Sequence, residues 1–222
     1  MVKNKSWKEK LNDRKDLPMV DPIPPKMQLT ERELLILQDT DFLLTKTTVL
    51  EKINELLGQT REELKGCVEN SNFSFPDGID LLNGKISKGE NYKNLPYMVL
   101  DYPALFTTKT VFAYRTMFWW GNFFSATFHL EGIALNYYRK SITLNLDKFL
   151  KKDVYIGVGD TPWQYHYEDD NYTLLNKAHR NFITNCKFLK LSKKIELKKW
   201  DYVSEFSTNF FELILLILKF RK

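Results

Sequence analysis

The most constraining stretch of the 222-residue chain is a pair of aromatic runs, Val111–Trp120 and Phe123–Glu131, with only Gly121-Asn122 between them. Two β-rich runs joined by Gly-Asn predict an antiparallel hairpin with a two-residue turn. Such a turn sets Trp120 opposite Phe123 and carries the register back through Tyr114–His129 to Phe112–Glu131. Side chains alternate along a strand. One face then holds Tyr114, Thr116, Phe118, Trp120, Ser125, Thr127, His129 and Glu131, a mixture of polar and aromatic groups. The other holds Val111, Ala113, Met117, Trp119, Phe124, Ala126, Phe128 and Leu130 as core, with Arg115 among them.

The segments around the hairpin predict an α+β domain. Thr30-Glu31-Arg32-Glu33 is a capping box that opens a helix reaching about Gln38. Apolar spacing (Val49, Ile53, Leu56, Leu57) predicts a second helix over Thr48–Leu57, with Gly58 as its C-cap. A second box, Thr60-Arg61-Glu62-Glu63, predicts a third. Residues 70–94 read as loop. Leu95–Tyr102 reads as a buried strand between Pro96 and Pro103, and Ile142–Leu146, Val154–Val158 and Gln164–Tyr167 as further strands. Helical spacing resumes over Leu174–Leu191 and again over about 205–220. The expectation is a mostly antiparallel sheet of about five strands within residues 95–167, flanked by N-terminal and C-terminal helices. Residues 1–28, with a possible basic helix over 1–17 and then Pro22-Ile23-Pro24-Pro25, read as a basic, Pro-rich arm before a single domain over 29–222.

Composition narrows the function classes. Cys67 and Cys186 form no Cys-x-x-Cys pair, so neither a disulfide framework nor a thiolate metal site is expected. The start of the chain is charged and lacks an apolar core segment, which reads as no signal peptide, and no apolar run is long enough to span a bilayer. A cytoplasmic location is therefore expected. The net charge of +5 comes from lysines interleaved with acids, a pattern of solvated faces that makes nucleic acid an unfavoured partner. The Gly-x-Ser-x-Gly elbow, the His-Glu-x-x-His helix and the dinucleotide-binding glycine fingerprint are all missing, and no cofactor follows from the sequence.

Three constellations stand out. His129 and Glu131 are two residues apart, as are His166 and Glu168, so on strands each pair shares a face. Brought together, the four supply N and O ligands for a divalent metal or an acid–base pair; kept apart, they are ordinary His–carboxylate hydrogen bonds. Gly84-Lys85-Ile86-Ser87-Lys88-Gly89-Glu90-Asn91-Tyr92 reads as a glycine-bracketed loop that either holds an anion on backbone N–H groups or caps itself through Glu90 and Asn91. Arg115, inside an aromatic strand, either stacks on a ring and pairs bidentately with a carboxylate such as Asp101, or clamps an anionic ligand.

The stretch Ser87–Tyr92, with Leu95-Pro96-Tyr97, Leu100-Asp101-Tyr102-Pro103, Phe118-Trp119-Trp120-Gly121-Asn122, Pro162-Trp163, His166 and Asn171-Tyr172, resembles a family of uncharacterised bacterial proteins. The resemblance covers about residues 30–220 and implies no activity.

The leading expectation is a binding or interaction protein that uses a polar–aromatic sheet face. The expected contacts are Glu90, Asn91, Tyr92, Arg115, Trp120, His129, Glu131, Trp163, His166 and Glu168. Its partner would be another protein chain or assembly, or a small anion. The alternatives are an enzyme, metal-dependent or not, built on His129, Glu131, His166 and Glu168 with Arg115 as anion clamp, and a non-specific nucleic-acid binder.

Overall fold

The β-branched and aromatic residues between 95 and 131 form the centre of a sheet. The computed structural model describes residues 24–219, and among these the fold is α+β with a seven-stranded, antiparallel sheet. The strands are β1 (Lys85–Tyr92), β2 (Leu95–Phe106), β3 (Thr110–Trp119), β4 (Phe123–Glu131), β5 (Tyr155–Gly157), β6 (Tyr172–Leu174) and β7 (Phe188–Glu196). Their spatial order is β1-β2-β3-β4-β7-β5-β6. The helices are α1 (Glu31–Gln38), α2 (Thr40–Asn70), α3 (Gly132–Leu144), α4 (His179–Asn185) and α5 (Val203–Lys219). No described helix is long and apolar enough to cross a membrane.

Contacts divide the chain into two units that meet at Thr47 and Thr48, within α2. The described part of the first holds a 3-10 turn at Pro25–Met27, α1 and the start of α2. The expected capping box is formed there: Thr30 Oγ1 accepts from Glu33 N at 3.2 Å, and Glu33 accepts from Thr30 N at 2.7 Å. The basic helix expected over 1–17 and most of the arm expected over 1–28 lie outside the described residues.

Several local expectations need correction. The helix expected to stop at Gly58 runs on, because α2 is one 31-residue helix. Thr60 does not cap a new one. Its hydroxyl bonds back to Leu56 O at 2.8 Å and meets Ser204 Oγ of α5 at 2.8 Å. Residues 85–92, read as loop, form the edge strand β1. Its polar sequence suits an edge, where one side faces solvent. A two-residue turn with Lys93 and Asn94 at φ 48° and 62° joins it to β2, as a type I′ hairpin requires. Ile142–Leu146 is no strand: Ile142–Leu144 complete α3, and Leu146 begins a 3-10 turn. Gln164–Tyr167 is not a strand either. Phe188–Leu191, placed on a helix, opens β7, whose Leu189 and Leu191 alternate with Lys190 and Ser192.

The hairpin exists, but its register differs by one residue. Trp119, not Trp120, pairs with Phe123, and the rows run through Ala113–His129 to Val111–Glu131. The loop has three residues, Trp120-Gly121-Asn122. Asn122 N donates to Trp119 O at 3.1 Å and Gly121 sits at φ 71°, the conformation that a type II turn demands at its third position. A one-residue slip moves every side chain of β3 to the other face. Tyr114, Thr116 and Phe118 therefore join Phe124, Ala126, Phe128 and Leu130 on the face covered by α3 and α5. Its polar groups are satisfied across the packing: Tyr114 Oη donates to Ser207 O of α5 at 2.6 Å, and Thr116 Oγ1 meets Ser207 Oγ at 2.7 Å. Trp120 packs against this core, 5.9 Å from Phe118, and so leaves the proposed contact set.

Candidate functional site

The opposite face of the sheet is polar, and the register explains why. Cross-strand pairing sets Asp101, Arg115, Thr127 and Ser192 in one row over four strands, and Ala113, His129 and Lys190 in the next. The expected Arg115 and His129 thus share a face after all. Arg115 forms the bidentate pair foreseen for it: Nε to Asp101 Oδ1 at 2.7 Å and Nη2 to Asp101 Oδ2 at 2.9 Å. Its Nη1 donates to Tyr165 Oη at 2.7 Å, and the same ring lies 5.3 Å from the guanidinium carbon. Burial works against the charge on Arg115, but Asp101 and Tyr165 more than offset it and hold the group protonated. With that geometry satisfied, Arg115 is an organising residue of the face and not a spare anion clamp.

An Ω-shaped loop, Val158–Asn171, covers part of this face. Val158 N donates to Asn171 O at 2.8 Å, so its ends meet. Tyr167 Oη and Thr127 Oγ1 both reach Ser192 Oγ, the latter at 2.6 Å. Lys190 is only 2% exposed, donates to Gln164 O, and lies 4.7 Å from the centre of the Tyr172 ring. Desolvation, with Arg115 nearby, lowers its pKa to about 7. The same two causes, with desolvation the larger and Lys190 adding to Arg115, lower His129 to about 3, so its imidazole is neutral.

Lys190 gives the fold an unusual pH dependence. Its folded pKa lies below its unfolded value near 10.5. As pH falls from about 10.5 to 7, the unfolded chain takes up this proton first, so stability falls through that window. Buried Tyr167 and Tyr172, both raised by desolvation, pull stability down above about pH 10 as the unfolded chain ionises. The Cys67 and Cys186 thiols, also raised by desolvation, bring that fall in from about pH 8.5, so urea midpoints are expected to peak near pH 8–9, with on the order of 1 kcal/mol lost by pH 7. Lys190→Met is expected to remove the rise between pH 7 and 8.5; an unchanged slope in that variant would refute the assignment.

The two His-x-Glu pairs do not assemble. His166, Glu168 and Asp170 bring one ligand atom each within 4.8 Å of one another, and His129 and Glu131 are not in that group. The His166 group is internally satisfied. Tyr92 Oη accepts from Tyr165 N at 2.7 Å and His166 N at 3.1 Å, and of the two acceptors near its one proton, His166 Nδ1 at 2.7 Å is much closer than Gln164 Oε1 at 3.5 Å. That fixes the tautomer with Nε2–H, which donates to Asp170 Oδ1 at 3.0 Å. Glu168 pairs with Lys93 at 2.8 Å. A cation here would have to displace both the Nε2 proton and the Lys93 ammonium. The His166 cluster is a staple that pins the loop to β1, and Tyr92 is its hub. Glu90 and Asn91 lie at the exposed end of β1, a strand where a glycine-bracketed loop, anion-holding or self-capped, was expected.

Beside the loop is an open cleft of about 1000 Å³. Lys85, Lys109, Arg115, Glu131, Phe106 and Trp163 are among its walls. Trp163 is 50% and Phe106 43% exposed, with ring centres 6.4 Å apart. Behind them His129, 7% exposed, stands 5.9 Å from the Trp163 ring. Its Nε2 has no hydrogen-bond partner and lies 3.8 Å from Glu131, too far for a bond. Of the expected contacts, Arg115, Glu131 and Trp163 line the cleft; Glu90, Asn91, Tyr92, Trp120, His129, His166 and Glu168 do not.

No family model, curated protein or solved structure matches this chain. Function is argued from the site itself, since fold alone does not carry it. Lys190, Tyr165 and Ser192 were absent from the expected contacts. The period-two alternation Leu189-Lys190-Leu191-Ser192 was the signal for Lys190 and Ser192, hidden by the helical spacing that precedes it.

Proposed function

We propose that the chain is a binding protein whose small, amphipathic ligand occupies the cleft between Trp163, Phe106 and Glu131. The observation that carries this reading is an exposed aromatic pair, Trp163 and Phe106, standing beside the Glu131 carboxylate on the wall of one open cleft. Concave, mostly apolar sites with a few convergent polar groups are the usual form of ligand pockets. Trp163 and Phe106 would hold an apolar or aromatic moiety, Glu131 with His129 behind it a donor, and Lys85 and Lys109 an acidic substituent. The enzymatic alternative has less support, because its four groups are split between the cleft edge and the His166 staple.

The test is a thermal-shift screen of aromatic acids and amines, followed by titration of each hit against variants. Binding of a true ligand is expected to weaken on the order of tenfold or more in Trp163→Ala, and to weaken in Glu131→Gln, with urea midpoints near wild type. Hits insensitive to Trp163→Ala, or a screen that yields none, would count against the proposal.

A further inference from the structure

We infer that the segment Met27–Leu43 is a dimerisation element whose occupant is a second copy of this chain. This does not depend on the cleft. The segment exposes eight large apolar side chains, Leu34–Leu37, Phe42 and Leu43 among them, each between 45% and 69% exposed. α1 has eight residues and buries none. A helix that short does not hold itself in water, since nucleation is costly and packing supplies most helical stability. At about 100 Å² of exposed surface per side chain the patch offers about 800 Å². Monomers rarely leave that much apolar surface open, and it equals what each partner buries in an interface of standard size.

Two features favour a second copy over other occupants. The charges of residues 26–46 are nearly balanced, with Lys26, Arg32 and Lys46 against Glu31, Glu33, Asp39 and Asp41. That gives no attraction to anionic lipid and no repulsion between copies. Each copy brings two helical pieces broken at Asp39. Two copies supply four, enough to close a small bundle on a shared apolar centre, and a twofold contact of this kind ends at the dimer.

The experiment is light scattering with gel filtration on the full chain at tens of micromolar, beside the double variant Leu35→Glu, Leu43→Glu. Wild type is expected to elute with twice the 26.4 kDa chain mass. The variant is expected to be monomeric, its dimerisation weakened on the order of a hundredfold or more, with near-ultraviolet dichroism of the aromatic sheet unchanged. Amide exchange over residues 31–47 supplies a second reading: protection that rises with protein concentration supports the dimer. A monomeric wild type, a variant that stays dimeric, protection independent of concentration, or partitioning of monomer onto anionic vesicles would each overturn it.

Discussion

Asp101→Ala is expected to lower the free energy of unfolding by about 3–5 kcal/mol, the cost of leaving a buried guanidinium without its carboxylate. Arg115 Nε and Nη2 both end on Asp101, and both side chains are largely buried. The loss is larger than the pair's net worth, because the surviving charge keeps its desolvation cost and loses its partner. Removing both charges tests this. Asp101→Leu with Arg115→Met is expected to recover most of the stability, as apolar replacements of buried pairs do. Urea unfolding of Asp101→Leu, Arg115→Met and the double variant gives the coupling directly. A single-variant loss below about 1 kcal/mol, the range of exposed pairs, would mean that water reaches the pair from the cleft and that the buried treatment is wrong.

The second large effect is at Gly132, which joins β4 to α3 at φ 62°. A Cβ there would stand 2.1 Å from Lys109 O and 3.4 Å from Thr110 Cα, both backbone atoms that no rotamer change can move. The same residues form the junction: Ile133 N donates to Lys109 O at 3.2 Å, and Ala134 N to Thr110 Oγ1 at 2.9 Å. Gly132→Ala therefore combines left-handed strain with displacement of the β2–β3 turn, and is expected to cost about 4 kcal/mol or more. It also shifts Lys109 and Glu131 on the cleft wall, so binding of the ligand proposed for the cleft is expected to be lost with stability. Gly58→Ala is the control. Gly58 lies within α2, and a Cβ there meets nothing within 4 Å. It is expected to stabilise the fold by about 0.5–1 kcal/mol. Equal midpoints for the two variants would show that the close approach at Gly132 does not exist in solution.

Where the sequence speaks locally it is legible. The Thr30–Glu33 box, the Arg115–Asp101 pair and the α+β class all follow from short-range chemistry, and all are present. What could not be read depends on distant partners. The hairpin loop is an instance. Gly-Asn between aromatic runs fits a two-residue turn, yet Trp120 finds its place in the helix-covered core, and that packing selects the three-residue loop. The single residue of difference put Arg115 and His129 on opposite faces in the sequence reading and on one face in the fold. Lys190 was hidden for a similar reason. Nothing near it in sequence shows that β7 lies between β4 and β5, where Tyr172 and Gln164 enclose its ammonium.

The place of β7 also has a meaning in time. β1 to β4 form a meander that is complete once residue 131 has been made, but the neighbour of β4 is a strand that begins at Phe188. Fifty-six residues, 132 to 187, separate the two, and at 5–20 residues per second their synthesis takes roughly 3–11 seconds. Through that interval the nascent chain presents β4, an aromatic strand with open N–H and C=O groups, to its surroundings. β5 and β6 wait as well, since both join the sheet through β7. The sheet is therefore closed from its middle by a strand made long after its neighbour β4. A slow ribosome or a truncated message would leave a sticky half-sheet, the kind of edge on which chains cluster or chaperones settle.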